Sequence, residues 1–149
     1  MHKFEDAKGT KWTIQLDTTM TRAIRAELGV DLLNLDESSV ADLVGNDETL
    51  VDVISLICTN QIERAGMDGK DFAGCLIGDA LDDACDALMN EVVFISRHSR
   101  RTIVAKVWQK AKAAESMMTE RAVKMLDSGV VEEKVEKAMQ EMEARLGAL

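Results

Sequence analysis

Asp82-Asp83-Ala84-Cys85-Asp86 is the stretch of this chain richest in groups that could do chemistry. Helical spacing would bring the three carboxylates near one another, and hard oxygen ligands so placed suit magnesium and a diphosphate, the use some enzymes make of an Asp-Asp-x-x-Asp run. Such enzymes also need a second metal-binding motif on a facing helix and a large apolar cavity, and the sequence offers neither. A solvated helix face is the simpler account; a small magnesium-dependent enzyme using Asp82, Asp83 and Asp86 is the remote alternative. Nucleophilic catalysis is no better supplied. The histidines are His2, near the terminus, and His98, inside a basic cluster, and neither has a partner at catalytic spacing. Cys58 and Cys85 fall on apolar helix faces, where burial raises a thiol pKa and leaves it inert. Together with Cys75 they form no Cys-x-x-Cys pair, so free buried thiols are expected and a zinc site is not. Gly66, Gly69, Gly74 and Gly78 are too scattered for a phosphate loop, and no strand precedes them. The expectation is a protein without catalytic residues, metal or cofactor.

Charge narrows the partners. The net charge of −9 conceals a division along the chain: residues 26–91 hold 16 acidic residues against Arg64 and Lys70 alone. Residues 97–112 reverse the sign, with Arg97, Arg100, Arg101, Lys106, Lys110 and Lys112 and no acid among them. Phosphate neutralisation needs a basic surface, so the acidic body argues against nucleic acid. The basic stretch is the candidate partner-binding region: Arg97, Arg100 and Arg101 would supply attraction and Trp108 apolar contact to an acidic surface on another copy or on a partner. No apolar run reaches membrane-spanning length, since the longest are broken by Asp52, Ser55 or Arg97. A soluble protein of the cytoplasm is expected.

The elements that would position these groups are mostly helical. There are no prolines and only 9 glycines in 149 residues, which favours long helices over a loop-rich β-protein. The exception is the opening. A three-residue loop, Ala7-Lys8-Gly9, predicts a hairpin that pairs Asp6 with Thr10, Glu5 with Lys11 and Phe4 with Trp12. Its apolar face, Phe4, Trp12, Ile14 and Leu16, needs a cover, and the following helix is the nearest one, with Met20, Ala23, Ile24 and Leu28 on one side. Thr18 or Thr19 can cap its start and Gly29 its end. Asp36 can cap a short helix through Val44, ended by Gly45, and then comes a nearly all-round apolar helix over residues 48–65, expected to be the central element. Gln61 lies on its apolar surface and must be bonded, the backbone of the loop after Gly66 being the nearest partner. Residues 70–77 and 78–96 complete a helical body.

Beyond it Ile103, Val107, Ala111, Ala114, Met118, Ala122 and Met125 repeat every eleven residues, the mark of a long, nearly straight helix. Ser128-Gly129 interrupts, and Val131, Val135, Ala138, Met142 and Leu146 begin a second stripe. The expected architecture is mainly α: a small N-terminal hairpin on a helical bundle over residues 1–96, and a C-terminal helical hairpin or arm over residues 97–149. Methionine-rich faces on such an arm suit a partner helix or a second copy of the chain.

The opening hairpin and helix, Gly29-Val30-Asp31-Leu32-Leu33, Leu50-Val51-Asp52-Val53-Ile54 with Cys58 and Gln61, and Gly66-Met67 through Phe72 to Gly78-Asp79-Ala80-Leu81 together resemble the tail assembly chaperones of long-tailed bacteriophages and prophages. The resemblance covers roughly residues 3–95 as a pattern of apolar and turn positions. It implies a non-catalytic protein of the infected cell that binds the tape-measure protein, keeps its apolar helices from aggregating and assists tail-tube polymerisation. The alternative in the same setting is a structural tail or head-to-tail connector subunit.

Overall fold

The computed structural model describes residues 1–128 and 130–147, with the side chains of residues 130–132 outside the description. Gly129 and the side chain of Val131, expected at the start of the second apolar stripe, therefore lie outside the described residues. The chain is mainly α, with eight helices and one two-stranded sheet among the described residues.

The sheet forms where the loop predicts it. Gly9 takes φ 85°, and β1 (His2–Glu5) pairs antiparallel with β2 (Lys11–Ile14), Phe4 opposite Trp12 and Glu5 opposite Lys11. Asp6 holds the turn. Its buried carboxylate accepts hydrogen bonds from the Lys8 and Thr10 amides, both 2.9 Å, and from Trp12 Nε1 at 2.9 Å. The hairpin tip is fixed in turn by the Ala7 amide, which donates to the Cys75 carbonyl at 3.0 Å. Trp12 meets Phe72 edge-on, with ring centroids 4.7 Å apart.

Helix α1 (Thr18–Leu28) is capped by Asp17, not by Thr18 or Thr19: the Asp17 side chain accepts from the Met20 amide, while Gly29 ends the helix in the left-handed region at φ 71°. Nor is α1 the principal cover of the hairpin. It packs on α3 (Asp47–Ile57), and the strands pack on α6 (Asp79–Ile95). Glu91 of α6 explains the choice, because its buried carboxylate reaches the start of β1 and Leu16, two residues after β2, together. Between these elements, Leu32 and Leu35 are buried while Leu33 is exposed, and α2 (Glu37–Val44) runs from its Asp36 cap to Gly45.

The expected 48–65 helix is two helices. α3 is capped by Asn46 and ends at Cys58, whose φ −90° and ψ 6° leave the helical region, and α4 (Thr59–Arg64) follows. Thr59 Oγ1 donates to the carbonyls of Ser55 and Leu56, a local bond that competes with the helix ladder where the break falls. α3 is nonetheless the central element, packed against α1, α2, α4, α5 (Gly69–Gly74) and α6. The short helix expected over 70–77 closes early, at Gly74.

Two compact units result, Met1–Ala111 and the chain from Lys112 onward. The first extends past the expected boundary at residue 96 because α7 (His98–Asp127) buries Val104 and Trp108 in the core cluster, with Val107 and Ala111 packed beside them. Ile103, expected to lead the stripe, is 54% exposed; the buried face is set one residue further on. In the second unit, the rest of α7 and α8 (Val130–Gly147) expose every described side chain.

Candidate interaction surface

Of the four residues expected to meet a partner, the structure brings two into the body. Trp108 lies in the core cluster, only 6% exposed. Arg100 is one turn before Val104 on the same helical face; its Nη2 donates to the Leu35 carbonyl at 3.3 Å, and its Nε is buried with no acceptor among the described residues. Arg101 is exposed but engaged, with Nη2 donating to the carbonyls of Phe94 (3.2 Å) and Ser96 (3.3 Å), groups left open where α6 ends. Arg97 is exposed, and its side chain has no hydrogen bond or ion pair among the described residues. Arg101 thus fastens the α6–α7 corner and Arg100 ties α7 to the segment before α2, while the indole ring is not offered at the surface.

The residues that could do chemistry are equally dispersed. Asp82 and Asp83 are exposed on α6 and Asp86 is half-buried, and no three His, Cys, Asp or Glu side chains among the described residues are placed to hold a metal ion. All three cysteines are buried and free. Burial pushes the Cys58 thiol up to about 12, so it stays protonated and unreactive. His98 is exposed, and His2 is occupied by Glu91 and by an edge-on contact with Phe94, centroids 6.3 Å apart. Gln61 is bonded to backbone as expected, but to a different segment: Oε1 accepts from the Thr13 amide at 2.9 Å and Nε2 donates to the Thr13 carbonyl at 2.7 Å. This two-pronged clasp satisfies the outer edge of β2 and holds the strand to α4.

Sequence reasoning missed Glu91. It is 1% exposed, and Oε2 accepts from the Leu16 amide at 3.1 Å while Oε1 lies 2.8 Å from the Met1 amino nitrogen and 3.2 Å from His2 Nδ1. Burial alone would push its pKa up, but the hydrogen bonds from the Met1 amino group, the Leu16 amide and His2, with the amino group's charge, outweigh burial and hold the carboxyl below the usual range. Asp6 behaves alike: burial raises its pKa, and the bonds from Trp12, Thr10 and Lys8 more than offset it. The signal for Glu91 was a glutamate on the buried side of α6, one turn after Leu88 and next to Val92. Both carboxylates serve the fold, Asp6 by holding the turn and Glu91 by tying the hairpin to α6.

No family model, curated protein or solved structure matches this chain. Its own surfaces must therefore carry the functional reading. No helix among the described residues is long and apolar enough to cross a membrane. What the second unit offers is an unusual density of uncovered apolar side chains: Met117, Met118, Met125 and Leu126 on α7, and Met139, Met142 and Leu146 on α8, each at least half exposed. A soluble helix ordinarily hides one such stripe.

Proposed function

We propose that this chain is a non-catalytic assembly chaperone whose C-terminal helices hold apolar helical segments of a client protein. The single observation that carries the reading is the helical run after Ala111, in which every described side chain is exposed, methionines included. A helix gains most of its stability from packing an apolar face, so a long helical segment without one is built to be completed by something else. Methionine suits that task because its flexible, polarizable side chain adapts to irregular partners. Helix-in-groove packing is the corresponding mode of recognition.

The resemblance of residues 3–95 supplies the setting: a long-tailed phage, with the tape-measure protein as client and the tail-tube protein as the subunit whose polymerisation is assisted. That setting implies work in the host cytoplasm and absence from the finished particle. Co-expression with the tape-measure protein tests it. The chain should co-purify with the client and keep it soluble, and Met118→Glu with Met139→Glu should abolish both effects while the body stays folded. Recovery of the chain from purified particles at fixed copy number would instead make it a structural tail or connector subunit.

A further inference from the structure

The exposed flank of α3 and α4 carries a second surface with a chemistry of its own. Two open depressions lie along it and meet at Asp52. One, about 450 Å³, is floored by Val51, Leu76 and Leu81, with the 61% exposed Ile77 at its lip and Asp47 and Glu48 on its rim. The other, about 610 Å³, is floored by Leu28, Leu56, Ile62 and Met67, with Glu27, Glu63 and Asp68 on its rim. Neither is lined by a Lys, Arg or His. Glu27, Asp47, Glu48, Asp52 and Glu63 have no ion-pair partner among the described residues. From Glu48 to Glu63 the path along α3 and α4 rises roughly 22 Å, about four turns of a helix laid beside it.

We propose that this acidic-rimmed trough docks a basic amphipathic helix of a partner protein. The apolar stripe of such a helix would lie on Val51, Leu56, Met67 and Ile77, and its Lys and Arg residues would meet Glu48, Asp52 and Glu63. Charge complementarity selects this occupant. Carboxylates crowded beside an apolar floor repel one another and any acidic partner, and a cationic helix relieves that repulsion while covering the floor. A second copy of the chain fits poorly: residues 112–147 carry eight acidic against six basic residues, and in the basic stretch Arg100 and Trp108 are engaged within the body. Nucleic acid would bring more negative charge to the same rim. The inference concerns the body alone and does not depend on what the second unit binds.

Titration of the isotope-labelled full chain with a Leu/Lys amphipathic helical peptide of roughly 18 residues, long enough to span the trough, followed by amide chemical shifts, tests it. Saturable shifts are expected at Val51, Asp52, Leu56 and Ile77, with binding weakened about tenfold by high salt or by Asp52→Lys with Glu63→Lys, both at exposed positions that the fold tolerates. Ile77→Ser should weaken binding about threefold by removing apolar contact without touching charge. Absence of saturable binding, equal binding of a Leu/Glu peptide, or shifts confined to residues after 111 would each overturn the proposal.

Discussion

Residues 1–111 and residues 112–147 are both helix-rich, yet they hold their helices by opposite means. In the body each helix has a buried side, and α1, α2, α3 and α5 start from a side-chain cap. After Ala111 no described side chain is buried. The same α7 passes from one regime to the other, so its helical pattern by itself does not tell which part is covered. Helix-forming composition makes a helix possible in both regions; only in the body is the apolar side of the helices also covered by other elements. The difference teaches that the body's helices are held by packing within the body, whereas the described side chains after it are uncovered.

The largest effect expected from this contrast comes from two truncations on the one helix α7. Trp108→Ala should lower body stability by about 3–5 kcal/mol, since a large ring leaves a well-packed core. Met118→Ala, 72% exposed in the wild type, should change the stability of the isolated chain by less than about 0.5 kcal/mol. Urea melts of both variants, followed by a body signal, measure the difference. Comparable losses would mean that Met118 is buried in the free chain and that the two regions are alike after all.

Next in size is the buried carboxylate that ties the hairpin to α6. Glu91→Ala strips the Leu16 amide of its acceptor inside the protein and is expected to cost about 1–3 kcal/mol, with Glu91→Gln restoring part of it by keeping an oxygen in place. The readout is the urea midpoint of each variant. An Ala variant as stable as wild type would show that α6 holds the hairpin by apolar packing alone, as α3 holds α1.

These two residues also show what the sequence could and could not reveal. The hairpin register was legible because a three-residue loop with glycine at its end leaves one pairing, and the cap at Asp36 was legible because capping is local. The hairpin's true cover was not, because nothing local distinguishes α1 from a helix some 75 residues later in the chain; the deciding bond joins Leu16 to Glu91. Trp108 was misplaced for a related reason. Its basic neighbours read as surface, but Arg100 shares its helical face and reaches across to the Leu35 carbonyl, which no pattern of charges along the chain encodes. The exposed methionines were legible as stripes, and only burial could show that they are uncovered among the described residues.

Acid should act on the body through the same carboxylates. Asp6 and Glu91 both have folded-state pKa values held below their ordinary ones, so the unfolded chain binds the more protons as pH falls. Their contribution is fully present above the unfolded values of about 3.9 and 4.3 and is lost as pH drops through the lower folded values. Urea midpoints should therefore fall below about pH 4. That fall should be shallower in Asp6→Asn and Glu91→Gln, each of which removes one such titration. A variant with an unchanged pH slope would exclude its carboxylate as a source of acid sensitivity.

The smallest effect is expected where α7 is joined to the body by charge. Lys110 Nζ lies 2.8 Å from Glu37 Oε1, just before the boundary at Ala111, and the two side chains are 71% and 69% exposed. A pair so open to water gains little Coulomb energy, loses side-chain freedom on forming and is screened by salt, so its coupling should be at most about 0.5 kcal/mol. A double-mutant cycle of Lys110→Met and Glu37→Gln measures that coupling directly, and repeating it at high salt should bring it close to zero. A coupling well above about 1 kcal/mol that survives salt would mean that charge, together with Val104 and Trp108, sets where α7 leaves the body. The boundary would then be movable by charge reversal at Glu37, whereas burial of Val104 and Trp108 fixes it regardless of the sign at Glu37.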